Sequence, residues 1–195
     1  MIIGITGGTG CGKTTLLELI REQGGLVLDC DAVYHQLLQT DAGLLKAIEN
    51  RFPGTVENGQ LQRKKLGAIV FTDKAALGDL NKITHGAVYA EVLHRLEAKP
   101  ALAAIDAIGL FEGGLAQLCD LTVAITAPVE DRVTRLTARD NITREYALSR
   151  IQAQPSQEEF AARCDVCLHN DGTREEFRKK CLAFLVSKDI IKEKP

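Results

Sequence analysis

Residues Gly7-Gly8-Thr9-Gly10-Cys11-Gly12-Lys13-Thr14-Thr15 spell the pattern G-x-x-x-x-G-K-[ST]. The run before it, Ile2-Ile3-Gly4-Ile5-Thr6, is rich in β-branched residues and reads as a buried strand. The run after it, Leu16-Leu17-Glu18-Leu19-Ile20-Arg21, reads as a helix. A strand, a glycine-rich turn and a helix in that order make a cradle for a polyphosphate. The glycines let the backbone approach the anion closely, with Gly8, Gly10, Cys11 and Gly12 offering N–H groups. The new helix turns its positive end toward the same charge. In this arrangement Lys13 reaches the β- and γ-phosphates, Thr14 ligates Mg²⁺ and Thr15 joins them in binding the nucleotide, so ATP and Mg²⁺ are the expected cofactors.

The rest of the chain reads as one α/β domain. Its 195 residues suit a single domain carrying an insertion. Leu26 to Asp31, which ends in acids, the apolar runs Ala101 to Ile108 and Leu121 to Thr126, and the short Asp165 to Leu168 read as further strands. Val129 to Arg139 and Arg144 to Gln154 read as helices. Residues 173–188 read as a closing helix, with Thr173 and Glu176 spaced as a capping box. Alternating strands and helices predict a parallel sheet with helices on both faces. Residues 32–99 carry helical periodicity broken by turns at Phe52-Pro53-Gly54 and Glu57-Asn58-Gly59. This segment is expected to be a helical substrate-binding insertion, and residues 139–160 an arginine-rich lid.

Several classes are disfavoured. The net charge is −2, so no bulk basic field draws nucleic acid or an anionic membrane. No apolar run approaches the ~20 residues that span a bilayer. The first residues enter a strand with no leader pattern, and a cytoplasmic location is expected. Cys164-Asp165-Val166-Cys167 has the C-x-x-C spacing but no second ligand pair, so the six cysteines are expected to be reduced structural residues. No guanine-reading N-K-x-D stands in the chain; Asn81-Lys82-Ile83-Thr84 lacks the aspartate.

Two groups of charged residues suit phosphoryl transfer, which needs alignment, charge stabilisation and a proton acceptor. Arginines at 132, 135, 139, 144 and 150 suit either a solvated helix face or a lid that closes on phosphates. Asp29 and Asp31 stand at the end of the second predicted strand, where ligands gather in such sheets. In an extended strand both side chains point to one side. Their plainer role is solubility or helix capping. Asp106 also follows an apolar strand.

Thr6 to Thr15 followed by Leu28-Asp29-Cys30-Asp31 resembles dephospho-coenzyme A kinase, whose phosphate loop is followed by a D-A-D element. The likeness continues through Arg63 to Phe71, Leu80 to His85, Leu110-Phe111-Glu112, Arg135 to Asp140, Arg150-Ile151-Gln152-Ala153-Gln154 and Asn170-Asp171-Gly172. It implies a P-loop kinase fold and transfer of the ATP γ-phosphoryl to the ribose 3′-hydroxyl of dephospho-coenzyme A. It implies that Asp31 accepts the hydroxyl proton and that Arg139 acts on the phosphates from the lid. Asp29, His85 and Glu112 fall in segments that resemble substrate-side elements. For His85 the alternative is a hydrogen-bonded core histidine. Asn170-Asp171-Gly172 stands where related kinases hold adenine, or is a plain turn. The chain departs from the pattern at Gly86 and Ile108, where the family carries proline, at Gly109, where it carries leucine, and in the segment after Gln154. A nucleoside or other small-molecule kinase, and a non-catalytic nucleotide-binding regulator, are the rival readings.

Overall fold

The computed structural model describes residues 1–192. It resolves into two compact units. The first comprises residues 1–28, 100–110 and 116–192; the second comprises 29–99 and 111–115.

The first unit is built on β1 (Ile2–Thr6), β2 (Leu26–Asp29), β5 (Ala103–Asp106), β6 (Leu121–Thr126) and β7 (Val166–His169), in the order β2-β5-β1-β6-β7. β1 lies in the middle. It pairs in parallel with β5, Ile3 opposite Ala104, and with β6, Ile5 opposite Val123. β6 pairs in parallel with β7. A strand paired on both edges and covered on both faces has no solvent side, which is why β1 and β6 carry no charge and only buried threonines among their apolar residues. Helix α1 (Lys13–Glu22) and helix α9 (Arg174–Ser187) pack against each other. Leu16, Ile20, Phe177 and Leu185 join Ile3, Ile5 and Ile125 in one buried cluster. Truncating one such leucine to alanine costs about 2–5 kcal/mol. α9 opens on the anticipated box, Thr173 and Glu176 each capping the other's backbone N–H. Three more helices, α6 (Val129–Asp140), α7 (Arg144–Gln152) and α8 (Gln157–Arg163), lie between β6 and β7. α6 and α7 share a small core of Val133, Leu136, Ala147 and Ile151.

The second unit holds α2 (Cys30–Thr40), α3 (Ala42–Arg51), α4 (Arg63–Val70) and α5 (Lys74–Leu96). α5 packs against the other three. Aspartates start three of these helices. Asp29, Asp41 and Asp73 each accept two backbone N–H bonds from the first turn of α2, α3 and α5. This unit takes in residues 29–31 and the return segment 111–115 beside the 32–99 segment. It also contains a hairpin, β3 (Val56–Glu57) and β4 (Gln60–Leu61). The Asn58-Gly59 turn has φ of 51° and 72°, the left-handed pair that a two-residue hairpin requires. Glu49 pins its entry by accepting from Gly54 N at 2.6 Å and Val56 N at 2.7 Å.

One expectation is corrected. The second strand stops at Asp29, and Cys30 begins α2. Asp29 and Asp31 therefore do not point together from an extended strand. Asp29 turns back to cap the N–H groups of Asp31 at 3.0 Å and Ala32 at 3.1 Å, and Asp31 lies exposed in the first helical turn. The physical reason is local: an aspartate at N-cap satisfies orphan donors that a continued edge strand would not offer. No helix among the described residues is long and apolar enough to cross a membrane.

Candidate active site

The loop from Gly7 to Gly12 leaves β1 and enters α1, and its carbonyls are held by side chains from four directions. Lys13 Nζ donates to Gly7 O at 3.0 Å. Arg132 Nε donates to Thr9 O at 2.9 Å. Arg135 donates to Gly10 O at 3.3 Å, and Asn170 Nδ2 to Cys11 O at 2.9 Å. In a trans peptide the N–H points opposite its carbonyl. Anchoring these carbonyls outward therefore turns the N–H groups of Gly8, Gly10 and Gly12 the other way. Among the described residues those three find no protein acceptor. α1 likewise starts with no side-chain cap at Gly12. Uncapped first-turn N–H groups beside a concave loop form an anion site.

Two glycines are required by this geometry. Gly12 has φ of 100°, and a Cβ there would meet Asn170 Nδ2 at 2.3 Å. A Cβ on Gly8 would meet Arg132 Nη2 at 2.3 Å. Arg132 is 3 % exposed, and its Nη2 has no hydrogen-bond partner among the described residues. Burial pulls its pKa below the ordinary arginine value, yet the group stays charged at neutral pH. A buried cation with an unused donor at the loop wall fits a phosphate ligand.

Lys13 is half-buried. Its Nζ is 3.9 Å from Asp106 Oδ1, at the end of β5. Thr14 is exposed in the first turn of α1, whereas Thr15 is buried with its N–H bonded to Gly12 O at 3.1 Å. Cys11 contributes no side chain to a ligand. Its thiol packs in the core beneath the loop, where burial raises its pKa.

The arginine cluster separates into different jobs. Arg132 and Arg135 hold the loop, and Arg144 pairs with Glu130 at the start of α6, with both guanidinium nitrogens on the two carboxylate oxygens. Arg139 is exposed and clasps Asp140 with Nε at 2.6 Å and Nη2 at 3.0 Å. Arg150 reaches the same carboxylate at 2.6 Å. The hydrogen bonds from Arg139 and then Arg150 pull the Asp140 carboxyl down to about 2. A depressed carboxyl contributes stability that is full above its unfolded pKa and fades as pH falls toward the folded one. The α6–α7 clamp is therefore expected to stay charged throughout the working pH range. Carboxyl ¹³C shifts of Asp140 should titrate with a midpoint near 2; a midpoint near the ordinary aspartate value of about 4 would contradict the clamp.

Asn170 was the expected adenine-side residue. Its Nδ2 holds the loop at Cys11 O, and its Oδ1 accepts from Arg135 Nη2 at 3.3 Å, so its buried amide is engaged by protein at both ends. The acceptor-side residues all fall in the helical unit: Asp29 and Asp31 at the start of α2, His85 in the middle of α5, and Glu112 exposed in the return segment. His85 is half-buried. The sequence offered no hint of the loop-bracing role of Gln154, which accepts from Thr9 N–H at 2.7 Å.

The dephospho-CoA kinase family model matches residues 1–176. A dephospho-CoA kinase of Deinococcus radiodurans is 39% identical over 181 residues, covering 89% of this chain and 85% of the relative. A crystal structure from Thermus thermophilus superposes with a TM-score of 0.82 at 32% identity, over 96% of this chain and 97% of that one. The dephospho-CoA kinase of Campylobacter jejuni superposes with a TM-score of 0.67 at 25% identity, over 97% and 98% of the two chains. Both the family match and the relatives run through the phosphate loop, the helical unit and the α6–α8 segment alike. The chain belongs to the dephospho-CoA kinase family.

Proposed function

We propose that the loop, Lys13 and Asp31 carry the family's reaction in this chain: phosphorylation of the ribose 3′-hydroxyl of dephospho-CoA by ATP. The observation that carries the reading is the braced loop with its free N–H groups and the unpartnered Arg132 Nη2, in a chain matched by the family over residues 1–176. The N–H groups of Gly8, Gly10 and Gly12 and the end of α1 bind the phosphates. Lys13 leaves Gly7 O for the β- and γ-phosphates, where its charge balances the transferring group. Asp31 accepts the proton of the 3′-hydroxyl as the new P–O bond forms and the bond to ADP breaks. Asp29 acts through Asp31, by fixing the first turn of α2. His85 and Glu112 serve the acceptor.

The oxygen donors at the loop fit a hard divalent cation: the Thr14 hydroxyl, exposed, and the Asp106 carboxylate beside Lys13. Mg²⁺ held there supplies charge neutralisation of the phosphates. Asp106 suits this better than Asp29, whose Oδ1 is committed to the α2 cap. Residues 139–160 act as the lid, with Arg139 exchanging its exposed pair with Asp140 for a phosphate while Arg150 retains the carboxylate. The protein works in the cytoplasm as a cytosolic biosynthetic enzyme.

Phosphorus NMR of the product tests the site of transfer. A new 3′-phosphomonoester identical to that of coenzyme A is the expected result. A phosphate at any other position, or a lengthened polyphosphate, would overturn the reading.

A further inference from the structure

Two consecutive peptides of the loop, Gly8–Thr9 and Thr9–Gly10, are each held by a side chain. Thr9 is held at both ends, its carbonyl by Arg132 Nε at 2.9 Å and its N–H by Gln154 Oε1 at 2.7 Å. The two side chains meet over Gly8, where a Cβ would lie 2.3 Å from Arg132 Nη2 and 3.2 Å from Gln154 Oε1. Gln154 follows directly after Ala153, the C-cap of α7. α7 is tied to α6 by the shared apolar core and by the Arg150–Asp140 pair. α6 in turn carries Arg132 and Arg135, both on loop carbonyls. The end of α7 and the body of α6 therefore grip the two peptides that flank Thr9.

We propose that Gln154 is a positioning residue for the nucleotide: its carboxamide latches the Gly8–Thr9 peptide, so that the place of α7 sets the conformation of the phosphate loop. The inference rests on the ATP-binding reading of the loop. Its physical basis is that the two peptides flanking Thr9 carry the Gly8 carbonyl and the Gly10 N–H, so the torsions at Thr9 set the direction of one against the other. Arg132 alone fixes only the Thr9–Gly10 peptide. With Gln154 also holding the Gly8–Thr9 peptide both planes are determined, and so is the curvature of the cradle between Gly8 and Gly10. A side chain that acts this way changes the grip on ATP and leaves the acceptor's binding alone, because none of its contacts lies in the helical unit.

The test uses the full chain with Gln154→Ala and Gln154→Glu, read by ¹⁵N–¹H NMR of the Thr9 amide and by steady-state kinetics. In Gln154→Ala the Thr9 amide should shift and exchange faster. The KM for ATP should rise about threefold to tenfold, the worth of one hydrogen bond, while the KM for dephospho-CoA stays within about twofold. Gln154→Glu keeps an acceptor oxygen at the same reach and should restore the Thr9 amide shift and its slow exchange. An unchanged Thr9 amide in Gln154→Ala would overturn the latch. So would an ATP KM that does not move, a rise of both KM values together, or a failure of Gln154→Glu to restore the amide. The NMR arm needs no turnover, so a wild-type chain inactive on dephospho-CoA would sink the function while leaving the latch testable.

Discussion

Asp31→Asn should lower turnover by about 10²–10⁴-fold, the usual worth of a positioned general base. Nucleotide binding should survive, because the phosphate contacts come from the loop and Lys13. The amide keeps the size and hydrogen bonding of the acid but cannot take the hydroxyl proton. Asp31 is exposed in the first turn of α2, so the substitution leaves no buried group unsatisfied. Asp29→Asn is the matched control. Asparagine caps a helix about as well as aspartate, so this change should leave both stability and turnover near wild type. Calorimetric ATP affinity and ADP release, measured on both variants, separate the roles. Normal turnover in Asp31→Asn would move the base elsewhere, and Asp106 would be the next residue to test. A dead Asp29→Asn beside an active Asp31→Asn would reverse the assignment.

Lys13→Ala should cost on the order of 10²-fold or more in transfer, since charge developing on the β- and γ-phosphates goes uncompensated. Lys13 also donates to Gly7 O and stands 3.9 Å from Asp106, so the variant loses a loop brace and leaves a half-buried acid without its cation. Thermal unfolding measured beside turnover distinguishes the two effects. A folded variant with near-normal turnover would remove Lys13 from the chemistry.

The sheet was legible because its signals are strong and local. β1 and β6 are uncharged, mainly apolar runs, and the motif at Gly7–Thr15 fixes a strand before it and a helix after it. The α9 capping box lay in plain view at Thr173 and Glu176. The same pattern at Ser156 and Glu159 opens α8, which the sequence reading passed over because seven residues leave little room for periodicity to show. Asn58-Gly59 read as a turn, but its strands are two residues each, too short for alternation to mark them. The start of α2 was misplaced because Leu-Val-Leu-Asp-Cys-Asp alternates like a strand. The cap that ends the strand depends on a side-chain bond that no spacing displays.

Within the site, the motif disclosed the loop itself and concealed the residues that hold it. Arg132, Arg135, Gln154 and Asn170 stand more than a hundred residues from the loop in sequence. Their contacts exist only because β6 lies beside β1 and β7 beside β6 in the sheet. A cluster of arginines seen in sequence reads as one group with one task. In the fold it divides between two that shape the loop and others paired with acids on α6. Cys11, the remaining motif position of uncertain use, packs inward because the residue under a tight phosphate turn must fill core volume.

The most direct test is the specificity of transfer. ADP release should be followed with dephospho-CoA as acceptor, and in parallel with AMP, CMP and shikimate, each compared by kcat/KM. The expected result is efficient transfer to dephospho-CoA and far weaker transfer to the other three. Equal or better use of any of the three, or ATP binding with no ADP release on any acceptor, would contradict the account.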